Sequence, residues 1–211
     1  MNEQEWLTCS NAEIMVDFLR MERKVSARKF RLFAIGCCRR VWHWFDNDES
    51  SRTALEVAER YADGQASEQE LWNANQALGQ SGSVTYQATN PNAGEGAFGA
   101  ACTIAEGITN CFPVEEVQAA YQHESLEQSR LGRCIFANPF HPVTLDPAWL
   151  TPKAKTLAQA IYNNRTFERM PELADTLAEV RCSNPDILSH CRGAGPHVRG
   201  CWVVDLVLGK E

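Results

Sequence analysis

Helix-start signals recur along the chain while strand alternation is almost absent, and that contrast limits the fold more than any other feature. Ser10-Asn-Ala-Glu13 and Ser67-Glu-Gln-Glu70 read as capping boxes, in which an N-cap hydroxyl and a carboxylate three residues on satisfy each other's backbone N–H groups. Ser26 can cap a helix running on to about Phe45, and Gly64 falls where a helix over about 50–63 should stop. Pro113, Pro152, Pro171, Pro185 and Pro196 each precede a plausible helical run, where the first turn accepts a residue without an N–H. Only Ser83 to Thr89, "SVTYQAT", has β character, and its Gly-, Ser- and Asn-rich surroundings favour a loop. The pattern predicts an all-α protein, a single compact multi-helix orthogonal bundle of about seven to nine helices.

One segment cannot be helical. "NPFHPVTLDPAWLTP", Asn138 to Pro152, carries four prolines, which fix φ and remove donors, so it should run stiff and extended. Phe140, Leu145, Trp149 and Leu150 between them should clamp it across helices. It marks the seam between an N-terminal helical part, 1–137, with a variable Gly/Asn-rich loop near 80–99, and a C-terminal helical part, 138–211. The two are expected to pack as one domain.

The stretch "IGCCRRVWHWF", Ile35 to Phe45, gathers cysteines, arginines, a histidine and tryptophans. On a helix from about Ala27, Phe30, Phe33, Ala34, Cys37, Cys38, Val41, Trp44 and Phe45 form one apolar stripe. Cys37 and Cys38 therefore read as core, and a vicinal pair closes too strained a ring for an easy disulfide. The nine cysteines are odd in number and scattered through apolar patterns, as expected of reduced thiols in a cytoplasmic protein. The N-terminus has neither a basic region nor an apolar run, and no stretch approaches the ~20 apolar residues of a membrane span.

A net charge of −7 argues against nucleic acid as a partner. From Arg23 to Arg40, however, the chain carries seven basic residues and no acid. Arg28, Arg31, Arg39 and Arg40 are the residues of this segment expected to meet an acidic protein or another macromolecule.

Chemistry is most concentrated near the C-terminus, in "RCSNPDILSHCRGAGPHVRGCWVVDLVLGKE", Arg181 to Glu211. A helix opened by Pro196 and closed by Gly209 would stack His197 over Cys201 at i and i+4, a spacing that grips one Zn²⁺, with His190 and Cys191 as further ligands. The same turn offers a second reading, in which His190, Arg192, His197 and Arg199 hold a phosphate or carboxylate at a Gly-rich helix start. "GEGAFG", Gly94 to Gly99, matches a dinucleotide fingerprint, but no strand precedes it, so a glycine-rich loop or a tightly packed helix start is the better account. No nucleophile elbow, P-loop or paired-carboxylate signature appears.

"ARKFRLFAIGCCRRVWHWF", "ALEVAERYADG", "NPFHPVTLDPAWLT", "LAQAIYNNRTFERMPELADTLAE" and "HCRGAGPHVRGCWVVDLVLGKE" together resemble a large paralogous family of uncharacterised bacterial proteins. The resemblance covers about 1–80 and 134–211 and implies a bacterial, cytoplasmic, helical domain, with no activity or site residue to carry over. The function expected from the residues is a non-enzymatic macromolecule-binding or regulatory domain without a cofactor. The alternative is a small-ligand, anion or zinc-binding protein, catalytic or not, that uses the C-terminal His/Cys/Arg cluster.

Overall fold

The computed structural model of the chain describes residues 1–22, 25–45, 49–79 and 83–210, and the side chains at 44–45, 105–106 and 108–111 lie outside that description. Among the described residues there are twelve α-helices and no strand. In chain order they are α1 (Glu3–Thr8), α2 (Ala12–Glu22), α3 (Ala27–Arg40), α4 (Glu49–Ala62), α5 (Glu68–Ala77) and α6 (Val84–Ala88). There follow α7 (Ala93–Cys111), α8 (Val114–Phe136), α9 (Pro152–Asn164), α10 (Met170–Glu179), α11 (Pro185–Arg192) and α12 (Trp202–Leu208). The all-α expectation holds, but the count of seven to nine was too low. The surplus includes α1 and α6, of six and five residues, too short for a 3.6-residue period to register.

The predicted caps are mostly where the hydroxyls are. The Ser26 hydroxyl accepts from Lys29 N at 3.3 Å, and Ser67 with Glu70 forms the full capping box of α5. At α2 the cap is Asn11, one residue later than predicted, because its carboxamide oxygen reaches Ile14 N at 3.2 Å. "SVTYQAT" is helical as well, since the Ser83 hydroxyl accepts from Tyr86 N and starts α6. A local cap here outweighs the β preference of Val and Thr.

The chain divides into two compact units, Met1–Gly132 and Arg133–Glu211, with the boundary inside α8. In the first unit α3 is the central helix and packs on α4, α6 and α7. Phe33, Cys37 and Cys38 on its stripe are fully buried, as the periodicity predicted. The side chains of Trp44 and Phe45, placed on the same stripe, lie outside the described residues. The glycines of "GEGAFG" sit in the first turns of α7 against α6. A Cβ on Gly96 would stand 2.3 Å from the Gln87 carbonyl oxygen, and one on Gly99 2.4 Å from the Gln87 side-chain oxygen. The motif is a contact surface, not a phosphate loop.

In the second unit Ala154, Ala158, Ile161, Met170, Leu173, Leu177, Ile187, Val203 and Val207 form the core. The proline-rich connector crosses its edge without α-helix, and Val143, Leu145, Trp149 and Leu150 pack partly buried against that core. Pro152 and Pro185 occupy the first turns of α9 and α11 as expected. Pro196 does not start a helix, and α12 begins only at Trp202. No described helix is long and apolar enough to cross a membrane.

The two glycines of α7 nearest its start should respond oppositely to alanine. Gly96→Ala drives a methyl into backbone and should cost about 1–3 kcal/mol by overpacking. Gly94→Ala meets nothing closer than 3.4 Å, at a flexible arginine side chain, and should be neutral or slightly stabilising. Denaturant melts of the two variants check this.

Candidate metal centre

The chain reversal between α11 and α12 builds the site. Asn184 caps α11 by accepting from Asp186 N at 3.0 Å and Ile187 N at 3.1 Å, which fixes the helix that ends in His190, Cys191 and Arg192. Gly195 (φ 88°) and Gly200 (φ 89°) then turn the backbone through conformations that residues with a Cβ avoid. At Gly195 the space is closed too, because a Cβ would meet His197 N at 2.9 Å. A final turn, with Cys201 N donating to the Val198 carbonyl at 2.9 Å, delivers Cys201 to the start of α12. His197 is thereby folded back over His190, their rings edge-to-face with centroids 4.8 Å apart. The Trp202 indole packs on the other side of His190, at 5.1 Å.

Four side chains meet there. One donor atom from each of Cys134, His190, His197 and Cys201 lies within 4.8 Å of all the others. His190 Nε2 is 3.3 Å from Cys201 Sγ, and His197 Nδ1 is 4.0 Å from Cys134 Sγ. A tetrahedral Zn²⁺ with bonds of about 2.3 Å to sulfur and about 2.0–2.1 Å to nitrogen has ligand edges of about 3.4–3.8 Å. The His190–Cys201 and His197–Cys134 separations of 3.3 and 4.0 Å lie close to that range, and no two of the four donors are more than 4.8 Å apart. His197 Nε2, its second ring nitrogen, lies 3.3 Å from the Gly193 carbonyl oxygen. A carbonyl can only accept, so this contact places the proton on Nε2 and leaves the Nδ1 lone pair toward the sulfurs, as in outer-shell support of a metal-bound histidine.

The electrostatics of the cluster follow from its dryness. Cys134 and Cys201 are buried, and the two histidines are half-buried. Burial by itself would push the Cys201 thiol up, but hydrogen bonds with Cys134, His190 and His197, and the charge of His190, outweigh it and hold Cys201 well below the ordinary thiol range. For His197, burial pulls down, but the hydrogen bond and charge of Cys201 raise it above the ordinary imidazole value.

The sequence named three of the four ligand candidates and one wrong partner. His190, His197 and Cys201 come together. Cys191 does not belong to the group: it is part of the apolar core, fully buried, and desolvation first, then the charges of Cys201 and Cys182, push its thiol up. The donor of this cluster that sequence reading missed is Cys134, in the last turn of α8, where Leu131, Cys134 and Ile135 look like any buried stripe. His197 and Cys201 meet through the Val198–Cys201 turn, not through an i, i+4 helical step.

The other expected site residues are held elsewhere. Arg192 is exposed and pairs with Asp175 at 3.0 Å, and Arg199 donates to the Tyr162 carbonyl at 3.3 Å with its guanidinium over the Tyr162 ring. The four groups expected to surround an anion therefore do not converge on one point. In the first unit, Arg31 is buried, donates to the Ala88 carbonyl at 2.9 Å and lies over the Tyr61 ring. Arg39 pairs with the buried Glu59 at 2.8 Å, Arg40 with Glu124 and Glu127, and Arg28 with Asp63. Of the basic run, Arg28, Arg39 and Arg40 are matched by carboxylates of their own chain; Arg23 and Lys24 lie outside the described residues.

Comparison of the chain with protein-family models, with curated proteins and with solved structures finds no match.

The contrast between the thiols is measurable. In metal-free protein, thiolate absorbance near 240 nm should appear below the ordinary thiol range of about 8.5 and disappear in Cys201→Ala. The sign for stability follows. With its pKa depressed by folding, Cys201 contributes stability that is complete above about pH 8.5 and is lost as pH falls through the folded value. With its pKa raised, His197 contributes stability that is complete below about pH 6.5 and is lost as pH rises through its folded value. Cys191→Ala should leave the early thiolate signal unchanged.

Proposed function

We propose that this protein binds zinc through Cys134, His190, His197 and Cys201, and that the metal fastens the C-terminal unit together. The observation that supports this reading is the convergence of four soft or borderline donors, two sulfurs and two imidazole nitrogens, from three separate segments within 4.8 Å. Two thiolates and two imidazoles suit Zn²⁺ over Mg²⁺ or Ca²⁺, which prefer oxygen. With all four positions supplied by the protein, the site is of the closed kind that stabilises a fold, without an open position for a substrate.

A thiol enzyme is the competing use of a cysteine 3.3 Å from a histidine. Cys201 is fully shielded from solvent, so a substrate carbonyl has no approach to its sulfur. Two further donors also crowd the dyad, where a nucleophile needs free space on one side. Both facts favour a ligand role.

The consequence is a domain whose folding is linked to its metal. Zinc would join the end of α8 to the α11–α12 reversal, elements otherwise tied by core packing and a few hydrogen bonds. Protein purified without chelators should carry one zinc per chain by elemental analysis. His190→Ala and Cys201→Ala should remove it, and Cys191→Ala should not. Free zinc at a thousandfold its dissociation constant stabilises a folded protein by about 4 kcal/mol. Chelation should then lower the melting temperature by roughly 10 °C. Acidification should release the metal, because protons compete for the thiolates and imidazoles. A metal-free protein that gains nothing from added zinc overturns the reading.

A further inference from the structure

The cluster brings the sulfurs of Cys134 and Cys201 together beside two imidazoles, and resting on the zinc reading we infer that they form a redox modification site. A two-electron oxidant of the peroxide class would convert Cys134 and Cys201 into a disulfide and expel the metal. The cluster places both Sγ atoms within 4.8 Å of each other, against about 2.0 Å in a disulfide. Both side chains lie where the backbone can yield. Cys134 is in the last turn of α8, two residues before its end, and Cys201 follows the Gly193–Gly200 reversal.

The other described cysteines are placed differently. Cys37 and Cys38 are adjacent on α3, where a vicinal bridge strains the backbone. Cys182 and Cys191 are buried in the core of the second unit; Cys191 is near enough to Cys201 to feel its charge, but neither belongs to the group with the two histidines. Cys9 and Cys102 belong to the first unit.

The step balances. In the zinc-bound site both sulfurs are thiolates. One attacks peroxide, breaking the O–O bond and forming a sulfenic acid as the first hydroxide leaves. The second thiolate attacks the sulfenic sulfur, forming the S–S bond and expelling the second hydroxide. Two protons taken from solvent convert the hydroxides to two waters, the sulfur pair loses two electrons, and peroxide gains them. A disulfide sulfur is a poor zinc ligand, so the metal retains only His190 and His197 and dissociates. Access follows from the same geometry: both histidines are half-buried, and an edge that admits a metal ion admits a molecule as small as hydrogen peroxide.

The experiment uses the full-length zinc-loaded protein, with hydrogen peroxide as the probe. Released zinc is followed with a chromophoric chelator, and disulfides are mapped by mass spectrometry of unreduced peptides. One zinc released per chain should accompany one Cys134–Cys201 cross-link, and a dithiol reductant should reverse both. Cys191→Ala should behave like the parent protein, since Cys191 is neither ligand nor partner. A protein that holds zinc and keeps it under peroxide overturns this inference alone. So does zinc loss accompanied by sulfinic acid or a cross-link elsewhere. A protein that carries no zinc before oxidant is added overturns the metal reading itself.

Discussion

The contact between Cys201 and its three polar neighbours sets the terms for the rest of the C-terminal unit. A thiol in that position is out of water, and so are most of the atoms around it, so each polar group must find its partner inside the cluster. Hydrogen bonds among two sulfurs and two imidazoles can meet that demand only in part, because they are long and sulfur accepts weakly. Under the zinc proposal, a divalent cation at the centre would meet it fully. The glycine-dependent reversal, the Trp202 wall and the Gly193 carbonyl behind His197 all serve to bring the four donors to one point.

The first unit resolves a similar tension with carboxylates. Its arginine-rich helix faces Glu59, Asp63, Glu124 and Glu127, which pair with Arg39, Arg28 and Arg40 and offset part of the positive charge concentrated along the sequence. Buried or half-buried pairs of this kind contribute little net stability, since desolvation offsets most of the attraction. They do make helix placement specific. Arg40 bridges two successive acids of α8 while Arg39 reaches α4, so a shift in the register of α3 breaks both contacts.

Helix existence was legible in the sequence because the signals are local: Ser26, Ser67 and Pro152 act on the turn they begin, and the Phe33–Cys37 stripe needs only its own periodicity. The short α1 escaped because one or two turns carry no period, and α6 escaped because a single serine cap decided it. The candidate site divided along the same line. His190, His197 and Cys201 share one short motif and could be read together. Cys134 arrives from a distant helix, and nothing in its neighbourhood distinguishes it from the core cysteines Cys37 and Cys38. Choosing Cys191 over Cys134 followed from chain proximity, which the helical phase of α11 overrides by turning Cys191 into the core. The ion pairs of the arginine run were out of reach for a comparable reason: its acids lie twenty or more residues away in the chain, beyond any local reading.

X-ray absorption at the zinc edge, on protein loaded with one equivalent, tests the central claim most directly because it counts the ligands by element. Two sulfurs at about 2.3 Å and two nitrogens at about 2.0–2.1 Å are predicted, with one sulfur lost in Cys134→Ala and none in Cys191→Ala. A first shell of oxygen and nitrogen only, or a sulfur shell that survives removal of Cys134 and Cys201, would contradict the account.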